Sequence, residues 1–151
     1  MTSTTAAEAV ILGMWDALYD HDWETLKGFL AEDCLYADMP VGPAFAARGP
    51  ADIIKRLRIA FDRIPSYVGH GGLILSNGSD VMYEHSETWT WADETSAYLR
   101  FVSVHRVVDG KITIWKDYWD LGMLRDQAPA DWFEDLGTVD MSWVYDATGQ
   151  L

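Results

Sequence analysis

The chain has 151 residues, and 11 Lys and Arg against 24 Asp and Glu leave a formal net charge of −13. With 49% hydrophobic and 23% charged residues, it reads as one folded domain over residues 1–151 rather than a disordered chain. The negative balance argues against nucleic acid or an anionic membrane as partner, the single Cys34 excludes a disulfide framework, and no apolar run approaches the roughly 18 residues of a spanning helix.

The opening MTSTTAAEAV carries Glu8 and no basic residue, so no secretory signal is expected, and a cytoplasmic location is. Val10, Ile11, Met14, Trp15 and Leu18 then recur at helical spacing. Asp22 has the place of an N-cap for a short helix with Trp23, Leu26, Phe29 and Leu30 on its apolar side. Cys34 to Met39 suggests a short strand, broken by Pro40, Gly42 and Pro43. Gly49-Pro50 opens the next helix, Ile53, Ile54, Leu57, Ala60, Phe61 and Ile64 form its apolar face, and Pro65 stops it. Four β-rich runs follow: Tyr67–Leu75, Val81–Trp91, Ser96–Val108 and Lys111–Trp119. Asp109-Gly110 between the last two is a strong hairpin signal. Helices first and a strand meander afterwards predict an α+β fold, with the helices on one face of the sheet. From Gly122 to Leu151 the chain reads as acidic and irregular. Its Trp132, Phe133 and Trp143 are suited to closing a pocket, to a dimer contact or to plain surface cover.

Eight Trp and seven Tyr are many for this length, and large rings either fill cores or line pockets for flat apolar ligands. Their positions along the strands matter most in Tyr83–Trp91. Side chains alternate between sheet faces, so Tyr83, His85, Glu87, Trp89 and Trp91 share one face, and Glu84, Ser86, Thr88 and Thr90 the other. If the aromatic face is the buried one, His85 and Glu87 are carried inward with it. An unpartnered buried carboxylate costs several kcal/mol or more, so it needs compensation or a purpose. The last strand repeats the pattern, with Thr113, Trp115, Asp117 and Trp119 on one face. Should both aromatic faces line one concavity, Glu87, His85 and Asp117 converge in a low-dielectric pocket. The two carboxyl pKa values are then pushed apart, leaving one acid and one base near neutral pH. A structural ion pair under a loop, or exposed acids on an aromatic sheet, is the alternative.

Other residues add to the candidate set. Tyr36 and Asp38 are two apart on one strand face, suited to holding water or taking a proton, and Asp38 equally suits a turn. His105 shares a face with Phe101 and Ser103; together with Trp89, Trp115 and Trp119, Phe101 and His105 are the candidate substrate-binding wall. His21 falls in a predicted loop. His85-x-Glu87 lacks a third ligand at recognisable spacing, so no metal is expected. Nor is a cofactor, because the chain has no Gly-rich phosphate loop, nucleophile elbow or Cys/His pair.

From about Leu12 to Leu121 the sequence resembles the SnoaL-like, NTF2-like superfamily, most closely its limonene-1,2-epoxide hydrolase branch. The most specific piece is Val108-Asp109-Gly110-Lys111-Ile112-Thr113-Ile114-Trp115-Lys116-Asp117-Tyr118-Trp119-Asp120-Leu121, with Tyr36-Ala37-Asp38-Met39-Pro40 and Glu84-His85-Ser86-Glu87 beside it. The resemblance implies a curved mixed sheet wrapped around helices as a cone, a deep apolar pocket at its wide end, and a homodimer. It also implies that Asp117 activates water, that Tyr36 helps hold that water, and that Trp115 lines the pocket. Three matched positions differ from the branch: Asp38 stands for its asparagine, Glu87 for its acid aspartate and His85 for its bridging arginine. An amide donates and accepts where an ionised carboxylate only accepts, and imidazole replaces a permanent cation by a group that can carry protons. The expectation is a cofactor-independent acid–base enzyme for a small hydrophobic aromatic substrate. A lyase resembling the dehydratases and diarylpropane lyases of the superfamily leads, with epoxide hydrolysis and a non-catalytic binding module as alternatives.

Overall fold

The computed structural model describes residues 3–151, so Met1 and Thr2 of the opening segment lie outside the described residues. Thr5 caps α1 (Ala6–Tyr19): its hydroxyl accepts from the Glu8 N–H while the Glu8 carboxylate accepts from the Thr5 N–H. Asp22 opens α2 (Trp23–Phe29) by accepting from the Thr25 N–H. Leu30, read above as the end of that helix, instead begins β1 (Leu30–Asp38), which therefore starts earlier than the Cys34–Met39 reading. A single 3-10 turn (Pro43–Phe45) and the two-residue β2 (Ala47–Arg48) lead into α3 (Gly49–Phe61). Gly49 enters that helix at φ +80°, a conformation other residues rarely adopt.

β3 (Ser66–Asn77), β4 (Asp80–Thr90), β5 (Ser96–Val108) and β6 (Lys111–Trp119) form an antiparallel meander. The sheet order is β2-β1-β6-β5-β4-β3, and β1 runs parallel to β6. Closing that parallel pair sets Asp38 beside Asp117, though 78 positions of chain separate them. The tail departs from the irregular reading. It folds into α4 (Leu121–Gln127), capped by Asp120, and α5 (Ala130–Leu136).

β4 alternates without a fault: Val81, Tyr83, His85, Glu87 and Trp89 are buried, and the residues between them are not. β6 does not alternate so simply. Arg106 pairs with Ile114 and Val107 with Ile112, so Thr113 is an extra residue, a β-bulge. The bulge switches parity, and Ile112, Trp115 and Asp117 all turn inward while Thr113 does not. A second irregularity lies in β3, between Gly71 and Ile74. Both bend the sheet around α1, whose Trp15 packs on the rings of Tyr83, His85 and Trp115.

Gly69 on β3 has a packing reason for lacking a side chain. A Cβ there would collide with the ring of Tyr19, which lies across the strand. Gly69→Ala is expected to destabilise the protein by about 2 kcal/mol through overpacking, read from urea unfolding. An unchanged midpoint would show that Tyr19 can move aside freely.

Candidate active site

The concave side of the sheet holds a cavity of about 270 Å³. Trp15, Phe61, Trp89, Phe101, Trp119 and Trp132 supply aromatic wall, and Tyr36, Asp38, Glu87 and Asp117 its polar groups. Arg56 is the one cation among the described lining residues. α4 and α5 provide one side through Leu121, Leu124, Trp132, Phe133 and Leu136, so the tail closes the pocket. Trp143 lies elsewhere, beneath the Lys55 ammonium at 4.4 Å.

Asp117 is buried on β6, opposite Ser103 of β5. Its Oδ1 accepts from the Ser103 hydroxyl at 2.6 Å and from the Trp115 indole N–H at 2.7 Å. Oδ2 is left to take a proton. Burial, helped by the charge of Asp38, pushes the carboxyl up to about 7; the Ser103, Trp115 and Tyr36 donors oppose this.

Glu87 is equally buried on β4. The Tyr67 hydroxyl donates to its Oε1 at 3.0 Å and the Trp89 indole to its Oε2 at 2.9 Å. Burial raises it to about 8, against the pull of those donors. Two carboxyl groups thus share one aromatic cavity and titrate near neutrality, the weaker acid being Glu87.

Asp38 has a different environment. Arg56 of α3 reaches its Oδ2 at 2.9 Å, and the Trp119 indole donates to its Oδ1 at 3.1 Å. Both oxygens are engaged. Arg56 was missed by the sequence reading, although a signal existed: it falls three residues after Ile53 and four before Ala60, within the apolar stripe of α3. Tyr67, Tyr19 and Ser103 were likewise not singled out as partners, and only Ser103 had a signal, its place on one strand face with Phe101 and His105.

Two expected wall residues, Trp115 and His105, and the expected catalytic residue His85 stand behind the wall. Trp115 packs against Trp15 and Tyr36 and meets the site through its N–H on Asp117. His85 is sandwiched between Tyr83 and Phe101, with ring centroids 5.0 and 5.1 Å away, and touches no cavity space. His105 lies further in, 6.0 Å from the Trp115 ring, with neither ring nitrogen hydrogen-bonded to another side chain. Burial pulls both imidazoles down to about 3, so both are neutral, and the 3.8 Å approach of His85 Nδ1 to Glu87 Oε1 is not an ion pair. Among the described residues, no three or more His, Cys, Asp or Glu side chains gather as a metal site. No helix among them is long and apolar enough to cross a membrane.

The SnoaL-like domain family matches residues 11–115, more than two thirds of the chain and nearly all of the helix-and-sheet cone. This chain belongs to the SnoaL-like family. Among its relatives, epoxide hydrolase EphG of Mycobacterium tuberculosis is 25% identical over 118 residues, 73% of this chain and 74% of that protein. The structure of an M. tuberculosis LEH-like epoxide hydrolase superposes with a TM-score of 0.68 at 24% identity, covering 88% of this chain and 90% of that one. A putative SnoaL-like polyketide cyclase from Shewanella putrefaciens CN-32 superposes with 0.74 at 19% identity, covering 83% and 97%. In this SnoaL-like domain the cone is thus shared with proteins named for different chemistries, and the activity must be argued from the site.

Proposed function

We propose that the protein is a cofactor-independent general acid–base enzyme that breaks a carbon–oxygen bond in a small hydrophobic aromatic substrate. The observation that carries this reading is the pair of buried carboxyls, Asp117 at about 7 and Glu87 at about 8, on one ring-lined cavity. Between those values Asp117 is the base and Glu87 the acid.

Elimination is the first reading. Glu87 gives its proton to a departing benzylic hydroxyl, which leaves as water. Asp117 Oδ2 takes the proton of a neighbouring C–H as the double bond forms. On a diarylpropane-1,3-diol, Asp117 takes the terminal O–H proton instead, and formaldehyde leaves with cleavage of the C–C bond. The engagement of both Asp38 oxygens by Arg56 and Trp119 supports elimination, because only Tyr36 and Asp117 then remain to hold a hydrolytic water. The likeness to EphG favours the second reading, in which Glu87 protonates an epoxide oxygen while Asp117 deprotonates the attacking water.

Incubation with a 1,2-diaryl-1,3-propanediol and with trans-stilbene oxide separates the two. Stilbene and formaldehyde from the first mark the lyase, and diol from the second the hydrolase. Either kcat/KM profile should be a bell with its maximum between about pH 7 and 8, falling on the acid side as Asp117 is protonated and on the alkaline side as Glu87 ionises. Inertness towards both classes removes the assignment.

A further inference from the structure

Ser103 and His85 touch no cavity space, yet they form one buried thread between the two carboxyl groups. Its direction follows from counting protons. Ser103 Oγ lies 2.6 Å from Asp117 Oδ1 and 2.9 Å from His85 Nε2. A hydroxyl has one proton to give, and the short contact gives it to the carboxylate. Ser103 must therefore accept from Nε2–H. His85 is neutral, so Nδ1 is left with a lone pair. That lone pair faces the Tyr19 hydroxyl at 3.4 Å and Glu87 Oε1 at 3.8 Å. The Tyr19 hydroxyl can donate to that lone pair; Glu87 Oε1, beyond hydrogen-bond reach, meets its negative charge across space, which opposes an ionised Glu87 and not a protonated one. The Trp115 indole N–H also donates to Asp117 Oδ1, which keeps that oxygen an acceptor and the thread running one way.

We propose that Ser103 and His85 are positioning residues that set the polarity of the pair, holding Asp117 as the base and Glu87 as the acid. The inference rests on the acid–base reading of the cavity and deepens it. The other groups facing the pair act on both ends of the thread. Around Glu87 they are Tyr67 of β3, Trp89 of β4 and Tyr19 of α1; around Asp117 they are Tyr36 and Asp38 of β1, the latter paired with Arg56 of α3.

The test is side-chain ¹⁵N NMR of the full chain at pH 7.5. The wild-type His85 ring should be neutral with its proton on Nε2. In Ser103→Ala that proton loses its acceptor, and the tautomer ratio should move at least tenfold towards Nδ1–H. Ser103→Cys, a weak acceptor, should move it the same way, and Ser103→Thr should restore the wild-type ratio. On whichever probe the wild type turns over, the alkaline limb of the Ser103→Ala pH profile should shift downwards, since Nδ1–H now turns positive charge towards Glu87 in place of a lone pair and favours its ionised form. A merely structural serine would move neither readout. Nδ1–H in the wild type, or an unchanged tautomer in both Ser103→Ala and Ser103→Cys, overturns the proposal. A wild type inert towards both probes overturns the acid–base reading instead, while the tautomer measurement still decides the thread.

Discussion

Asp117→Asn is expected to lower kcat on the active probe by about a thousandfold or more while the protein stays folded. An amide oxygen can still accept from Ser103 and Trp115, so the hydrogen bonds at Oδ1 are kept. Oδ2 is replaced by a group that cannot take a proton at neutral pH. Loss of a positioned general base costs about 10²–10⁴-fold. The circular dichroism spectrum should match the wild type. Turnover within tenfold of wild type would remove Asp117 from the chemistry and move the base to another group.

Glu87→Gln should reverse the order of stability with pH. The folded-state pKa of Glu87, about 8, lies above its unfolded value of 4.5. Its favourable contribution is therefore fully present below about pH 4.5 and is lost as the pH rises through 8. Asp117 behaves alike, losing its contribution between about 4 and 7. The two buried histidines act oppositely. Folded values of about 3 lie below the unfolded 6.5, so their contribution is present above 6.5 and lost as the pH falls towards 3. Wild-type stability should accordingly be broad and flat between about pH 4.5 and 6.5 and decline from there to pH 8. Forcing Glu87 to ionise in the fold costs on the order of 5 kcal/mol at pH 9. Glutamine avoids this but turns its NH₂ towards either Tyr67 or Trp89, which returns about 1–3 kcal/mol. Thermal melts should place Glu87→Gln above the wild type at pH 9 and level with or below it at pH 5. A constant difference across that range would show that Glu87 is not buried in its protonated form.

Arg56 shows where local reading of the chain stopped. Its position within the apolar stripe of α3 was visible, but its partner Asp38 lies on another element, and no spacing rule connects a helix to a distant strand. The β6 bulge is a similar case. Counting by twos inward from Trp115 reaches Asp117 correctly, but counting outwards fails at Thr113, because the extra residue exists only relative to the register of β5. The tail was misread for a related reason. Its two helices of seven residues are short, and packing of Leu124 and Trp132 against the cavity supports them more than propensity does.

What the amino-acid sequence determined by itself was local: the α+β order, the hairpin at Asp109-Gly110, and which residues share a strand face, His85 with Glu87, Phe101 with Ser103, and Trp115 with Asp117. Parity follows from the pleat of one strand and needs no neighbour. Only the tertiary structure decided that Glu87 and Asp117 share a cavity while His85, His105 and Trp115 stand behind its wall, and that the Ser103 proton points to Asp117. Those outcomes depend on desolvation and hydrogen-bond direction, which are set by every element packed around a group and not by the residues beside it in the chain.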